Sequence, residues 1–241
     1  MDDKAEGIVL QSVRYGDTSI IVKVFTRQSG LRSYMVKGAF GRGSKNKAAL
    51  FQNLNMIAYV ETGKPRHASL GYLKEVQLAT VYRSLPFAFE KSAILLYVSE
   101  LLSKTLTEQE KNEPLYDFIA RSLLWLDLVE SGYANFPLYF TLELSRHLGF
   151  YPQANHGEGS CFDLMEGRFV HDAPLHPYCL DAEASATLSR LLGKGIDEAC
   201  GLPLNVGRRR ELLDGLIAFM RLHAPVLREF RSHEVLRSVL Q

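Results

Sequence analysis

"EGIVLQSVRYGDTSIIVKVFTRQSGLRSYMVKG", residues 6–38, is the stretch that decides the fold. GIVLQSVRY (7–15) and TSIIVKVFT (18–26) are rich in β-branched residues in rough alternation, and Gly16-Asp17 between them reads as a turn. RQSG (27–30) leads into LRSYMVKG (31–38), the return arm of a hairpin. Further on, LNMIAYV (54–60), a turn at Gly63-Lys64-Pro65 and ASLGYLKEVQLAT (68–80) add two strands. Five short strands and one long loop within residues 1–80 predict a small closed barrel of the SH3-like or OB type.

From Pro86 the apolar period becomes helical. FAFEKSAILLYVSELLSKTL (87–106) has apolar residues at three- and four-residue spacing, and PLYDFIARSLLWLDLVES (114–131) starts with proline at a first helical position. NFPLYFTLELSRHLGFYP (135–152) ends at Gly149, with Pro152 just beyond, a helix stop. An irregular stretch, 151–180, precedes two more helical patterns at 181–194 and 207–224 and a short terminal one near 234–240. The expected class is therefore α+β, with a barrel over 1–80 and a helical domain over 81–241.

The chain has 241 residues, 46% hydrophobic and 23% charged, enough to bury a substantial core. Its net charge of +1 is unevenly divided, with +6 on residues 1–80 and −5 on 81–241. From Thr18 to Val60 there are seven cations (Lys23, Arg27, Arg32, Lys37, Arg42, Lys45 and Lys47) and no Asp or Glu. Such a surface favours polyanions. Three scattered cysteines make no disulfide framework and suit a reducing compartment. MDDKAEGIVL has acids where a signal peptide carries its basic region, and Ala93–Val98 is too short to span a bilayer, so the expected location is cytoplasmic.

Gly38 and Gly43 have the gap of a P-loop, but Ser44 stands where that motif needs lysine, which excludes a nucleotide cradle. A glycine-rich cationic loop can instead follow a nucleic-acid backbone, displacing counterions as it binds. Strand parity groups Ile21, Lys23 and Phe25 on one face and Arg32, Tyr34 and Val36 on another. If the two faces coincide, Phe25 and Tyr34 form a stacking platform edged by Lys23 and Arg32; otherwise these aromatics pack against the helices. His156, Cys161, His171, His176 and Cys179 resemble scattered metal ligands, yet only His176 and Cys179 form a tight pair. No GxSxG, HExxH or paired-carboxylate motif is present, which points to a binding protein. Arg208-Arg209-Arg210 opens an apolar helix with cations where the helix dipole disfavours them. They form either a solvated first turn or a rim for an acidic peptide, a role open also to Arg121 and Arg146.

The stretch 6–50 resembles the opening of the bacterial RecO recombination-mediator family in its GIVL strand, Tyr15-Gly16-Asp17 turn, Thr26…Gly30 hairpin and Lys37-Gly38-Ala39 loop start. FTLELSRHLGFYP (140–152) and FDLMEGRF (162–169) are similar to later segments of that family, the likeness being loose after 180. The resemblance implies an N-terminal OB-fold and a helical domain. It implies binding of single- and double-stranded DNA, annealing of complementary strands, and, with RecR, loading of RecA onto DNA coated by single-strand-binding protein. It also implies binding of that coating protein's acidic, apolar C-terminal tail, with no cofactor. Many members carry a four-cysteine zinc module; here only Cys161 and Cys179 stand in that region, so 151–180 is expected to be a degenerate version without metal ligands.

On this reading Arg42, Lys45 and Lys47 are the first candidates for DNA-backbone contacts, with Lys23, Arg32 and Lys37 next and Phe25 and Tyr34 as stacking residues. Arg121, Arg146 and Arg208 are candidates for the partner's tail. An RNA-binding or translation-associated barrel and a protein-interaction scaffold are the alternatives.

Overall fold

A computed structural model describes residues 4–40, 47–62, 70–107, 110–154, 161–172 and 174–239. Five strands, β1 (Lys4–Tyr15), β2 (Ser19–Thr26), β3 (Gly30–Val36), β4 (Met56–Thr62) and β5 (Gly71–Leu78), close into a barrel of order β1-β2-β3-β5-β4. This is the arrangement of an OB-fold, with β3 and β5 paired in parallel and β4 antiparallel to β1. The register of β1 against β2 shifts between Val9 and Gln11, an irregularity of the kind that bends a strand. β1 can thereby pair with β4 through Lys4–Ile8 and with β2 from Gly7 to Tyr15.

The barrel interior is filled from alternate positions. Val9, Ile20, Val22, Val24, Tyr34, Val36, Phe51, Ile57, Tyr59 and Leu73 form its buried core. Phe51 is delivered by a single 3-10 turn over Lys47–Phe51. Gly71 is required where it stands, because a Cβ there would lie 2.7 Å from Cδ1 of Tyr34. The Tyr34 hydroxyl lies 3.3 Å from that of Tyr59 and 3.4 Å from Glu61 Oε2, so its polar end is satisfied inside the core. Burial pushes the Tyr34 phenol up to about 12 and Tyr59 higher still.

The chain divides into two compact units. The first comprises residues 1–83 and 99–124, the second 84–98 and 125–241. In the first, parts of α1 (Phe89–Thr105) and α2 (Glu113–Leu128) accompany the barrel. Tyr116 packs on Phe25 at 6.3 Å between ring centroids, and Asp117 holds Arg27 at 2.9 Å. Asn53 donates to Ser99 Oγ at 3.0 Å.

The second unit is built on α3 (Phe136–His147) and α6 (Val206–His223), with α4 (Ala182–Leu191), α5 (Ile196–Cys200) and α7 (Ser232–Val239) around them. α3 stops as its sequence predicts: Gly149 takes φ +88°, and the amide of Phe150 donates to Ser145 O at 3.0 Å. The stretch read as irregular, 151–180, contains three short strands, β6 (Cys161–Asp163), β7 (Arg168–Val170) and β8 (Cys179–Leu180), in the order β7-β6-β8. Lys91 is 3% exposed, with its ammonium donating to Ser84 Oγ (2.7 Å), Val129 O (2.6 Å) and Asp127 O (3.3 Å). It thus supplies donors to the carbonyls that α2 leaves open at its C-terminus. Among the described residues no helix is long and apolar enough to cross a membrane.

Candidate nucleic-acid interface

The outer face of the barrel follows from the register. Val13 lies opposite Ile21, Ile21 opposite Met35, and Met35 opposite Tyr72, so four strands contribute one continuous apolar row. Val13 is 52% and Tyr72 44% exposed, and Ile21 and Met35 are half-buried. The adjacent row, Gln11, Lys23 and Ser33, is polar and exposed, with Lys23 at its centre. An exposed apolar row edged by a cation is unusual on a barrel surface that has only water to face.

One end of this face is shaped by the turn at 37–40. Gly38 has φ +68°, the left-handed region in which a side chain is strained. Ala39 is buried, and the Phe40 amide donates to Thr18 O at 3.2 Å, which pins the turn to the β1–β2 connection. Lys37 Nζ stands 5.3 Å from the centroid of Tyr72, and the Arg14 guanidinium 5.2 Å from that of Phe40. Arg14 is itself held by Gly16 O at 3.3 Å and Asp17 O at 3.2 Å. Lys47 Nζ donates to Lys37 O at 3.1 Å, bringing a third cation to the rim. Among the described residues Lys23, Arg32, Lys37 and Lys47 form no ion pair. Arg27 does: Glu6 at 3.6 Å and Asp117 at 2.9 Å come from outside the acid-free stretch, and its charge is committed within the barrel's unit.

The shared aromatic platform expected from strand parity is absent. Val22 lies opposite Tyr34 and Val24 opposite Arg32, whereas Lys23 lies opposite Ser33 and Phe25 opposite Leu31. A register offset by one residue puts the two sets on opposite faces. Tyr34, 1% exposed, points into the barrel; Phe25, 2% exposed, points outward but is covered by Tyr116. Neither ring is open to a base, and Lys23 and Arg32 do not share a face. Arg42 and Lys45 lie outside the described residues. Among the described residues of 1–80 the exposed aromatics are instead Tyr15, Phe40 and Tyr72. Tyr72 escapes a linear reading because its face depends on the parallel pairing of β3 with β5. Phe40 did carry a signal, a large apolar residue inside a glycine- and lysine-rich loop.

Of the arginines considered for a partner's tail, Arg121 is exposed and makes no ion pair among the described residues. Arg146 is bound to both oxygens of Glu143 at 3.1 and 3.2 Å and lies 3.7 Å over the ring of Tyr151. Arg208 is only 14% exposed, paired with Glu183 and also with Glu211 (2.6 Å) and Asp181 (3.8 Å). Its neighbours are better placed. Arg209, Arg210 and Arg237 line an apolar cup with Ala134, Pro137, Leu138, Leu213 and Leu236. Among the described residues Arg209 Nη1 and Arg237 Nε are buried without a hydrogen-bond partner, and Arg237 pairs through Nη2 with Asp214.

In the small sheet Asp163 lies opposite Cys179, and Nε2 of His176 is 3.3 Å from Asp163 Oδ2. Asp163 Oδ1 is already engaged by the amides of Met165 (2.8 Å) and Glu166 (3.1 Å). Burial, reinforced by Cys161, pushes the Cys179 thiol up to about 12. Among the described residues no three His, Cys, Asp or Glu side chains come together as a metal-ligand group, and His156 lies outside the described residues.

Comparison with known proteins places this architecture. Residues 1–82 match the family model "Recombination protein O N terminal", and residues 86–231 match "Recombination protein O C terminal". The chain is 34% identical over 241 residues to the DNA repair protein RecO of Flavobacterium psychrophilum, with 99% of each chain covered. It is 32% identical over 240 residues to that of Phocaeicola vulgatus, again with 99% of each covered.

Proposed function

The chain belongs to the RecO family of DNA repair proteins, and from that premise we propose that it is a non-enzymatic mediator of repair and recombination that binds DNA through its barrel. The observation that carries this reading is the outer barrel face, where an exposed apolar row is edged by Lys23, Lys37 and Lys47, none of them paired with an acid among the described residues. Cations hold phosphates without regard to sequence, and the apolar row offers a bed for sugars and bases. Arg42 and Lys45 join them on sequence grounds, and Arg32 reaches a backbone from the barrel's end.

In this reading residues 1–80 hold single- and double-stranded DNA and 81–241 dock protein partners in the cytoplasm. Annealing of complementary strands needs no covalent step: shielding of phosphate charge and close apposition suffice. RecR is the partner with which the chain helps to load RecA on coated DNA. The acidic, apolar tail of single-strand-binding protein suits the cup formed by Leu138, Leu213, Leu236, Arg209, Arg210 and Arg237, an apolar surface rimmed by guanidinium groups. Arg121 and Arg146 are secondary candidates.

The test is annealing of two complementary labelled oligonucleotides by the full chain, with RNA of the same sequence as competitor. Faster annealing, with DNA displacing RNA at equal concentration, is expected. No acceleration, with tight RNA binding, would favour the RNA-binding alternative.

A further inference from the structure

Tyr72 and Phe40 are exposed rings that the packing of the barrel does not consume, at 44% and 48% of their surface. Each has a cation on one side, Lys37 at 5.3 Å and Arg14 at 5.2 Å, and half-exposure is what a ring shows when one face is covered and the other is open. Lys37 and Phe40 begin and end a single turn, so the two ring–cation pairs belong to one rim. The backbone beneath them is fixed: Ala39 is buried, the Phe40 amide is bonded to Thr18 O, and Tyr72 is held in register with Met35.

We propose that Tyr72 and Phe40 are stacking sites for unpaired nucleobases, with Lys37 and Arg14 meeting the flanking phosphates, so that this rim selects single strands over duplex. The inference rests on the DNA-binding reading above and adds strandedness to it. A base in a duplex has both faces covered by its neighbours and must be unstacked before it can lie on a protein ring. An unpaired base has no such barrier, and every base has a π face, so the contact tolerates any sequence. Phosphate attraction acts on both forms of DNA. Affinity for either form therefore comes from the cations, and the preference between them from the rings. The Val13–Ile21–Met35 row continues from Tyr72 across the barrel and gives the strand an apolar path away from the rim.

The experiment uses the full chain, a fluorescein-labelled oligothymidylate, and a labelled duplex of the same length. Binding is followed by anisotropy at fixed salt for the native chain, a Phe40→Ala/Tyr72→Ala variant and a Phe40→Tyr/Tyr72→Phe variant. Loss of both rings should weaken single-strand binding by roughly 100-fold, about tenfold for each ring. Duplex binding should change by less than about twofold, and the aromatic exchange should restore the preference. Equal losses on both probes, or an alanine variant that keeps the native strand preference, would overturn the inference and leave DNA binding intact. A native chain that bound neither probe would overturn the DNA-binding reading and this inference with it.

Discussion

Changing Phe25 to Ala separates a packing role from a stacking role. Its ring is 2% exposed and lies 6.3 Å from Tyr116, so the substitution removes buried aromatic carbon between β2 and α2. Phenylalanine-to-alanine changes in cores cost about 3–5 kcal/mol. The site is at the outer wall of the barrel, where the Tyr116 ring can relax toward the gap, so the lower end, about 3 kcal/mol, is the reasonable expectation. That corresponds to a loss of roughly two powers of ten in protection, since 1.4 kcal/mol is a factor of ten. Hydrogen exchange read by mass spectrometry on peptides from β1 to β3 measures it locally, without assuming that the two compact units unfold together. DNA affinity of the folded variant should stay within about threefold of native, because stacking would require an exposed ring. Unchanged protection with a large loss of single-strand affinity would refute the assignment and return Phe25 to the binding surface.

Three further outcomes are expected. A peptide with acidic residues before an apolar C-terminus should bind the full chain, and Arg210→Glu should weaken it about tenfold or more by setting a carboxylate against it at the cup; unchanged affinity in calorimetry would place the tail elsewhere. Lys91→Met, which keeps the stem but removes three donated hydrogen bonds, should destabilise the second unit by about 2 kcal/mol in urea unfolding followed by Trp125 fluorescence, and an unchanged midpoint would show that those carbonyls find other donors. Stability should hold up to about pH 10 and fall beyond it. The unfolded chain releases its tyrosine protons near pH 10 while burial holds Tyr34 protonated to about 12, and Tyr59, Tyr97 and Tyr116 are pushed up in the same sense. For Tyr34 alone the loss by pH 12 is roughly 2–3 kcal/mol. Lys91, lowered by burial, works in the opposite direction. Titration of tyrosinate absorbance alongside circular dichroism checks the order of events: ionisation of the buried tyrosines well before unfolding would contradict it.

Local patterns in the sequence carried the fold further than the site. The alternation in residues 7–36, with Gly16 and Gly30 at turns where their φ is positive, is enough to read the first three strands, and the stop at Gly149 marks the end of α3. Strand pairing between distant segments is not written locally. Whether Phe25 and Tyr34 share a face depends on a single residue of register, and whether Tyr72 joins the row depends on a parallel contact made 37 residues after Met35. Charge counts along the chain also miss partners from other elements: Asp117, from α2, takes Arg27 out of the cationic set, and Asp181 and Glu183, from the start of α4, engage Arg208. The short strands of 161–180 are stabilised by side chains such as Ser185, whose hydroxyl accepts from the Phe162 amide at 2.8 Å, and no two- or three-residue strand announces itself by period.

The most direct test of the central claim is the salt dependence of single-strand binding. Anisotropy of a labelled oligonucleotide, titrated at several salt concentrations, compares the native chain with the Lys23→Glu/Lys37→Glu/Lys47→Glu variant. If the barrel face holds phosphates through these three cations, the slope of log affinity against log salt should become shallower by about 2, since each single-strand contact contributes about 0.7. A variant with the native slope and native affinity would show that the DNA lies elsewhere on the molecule.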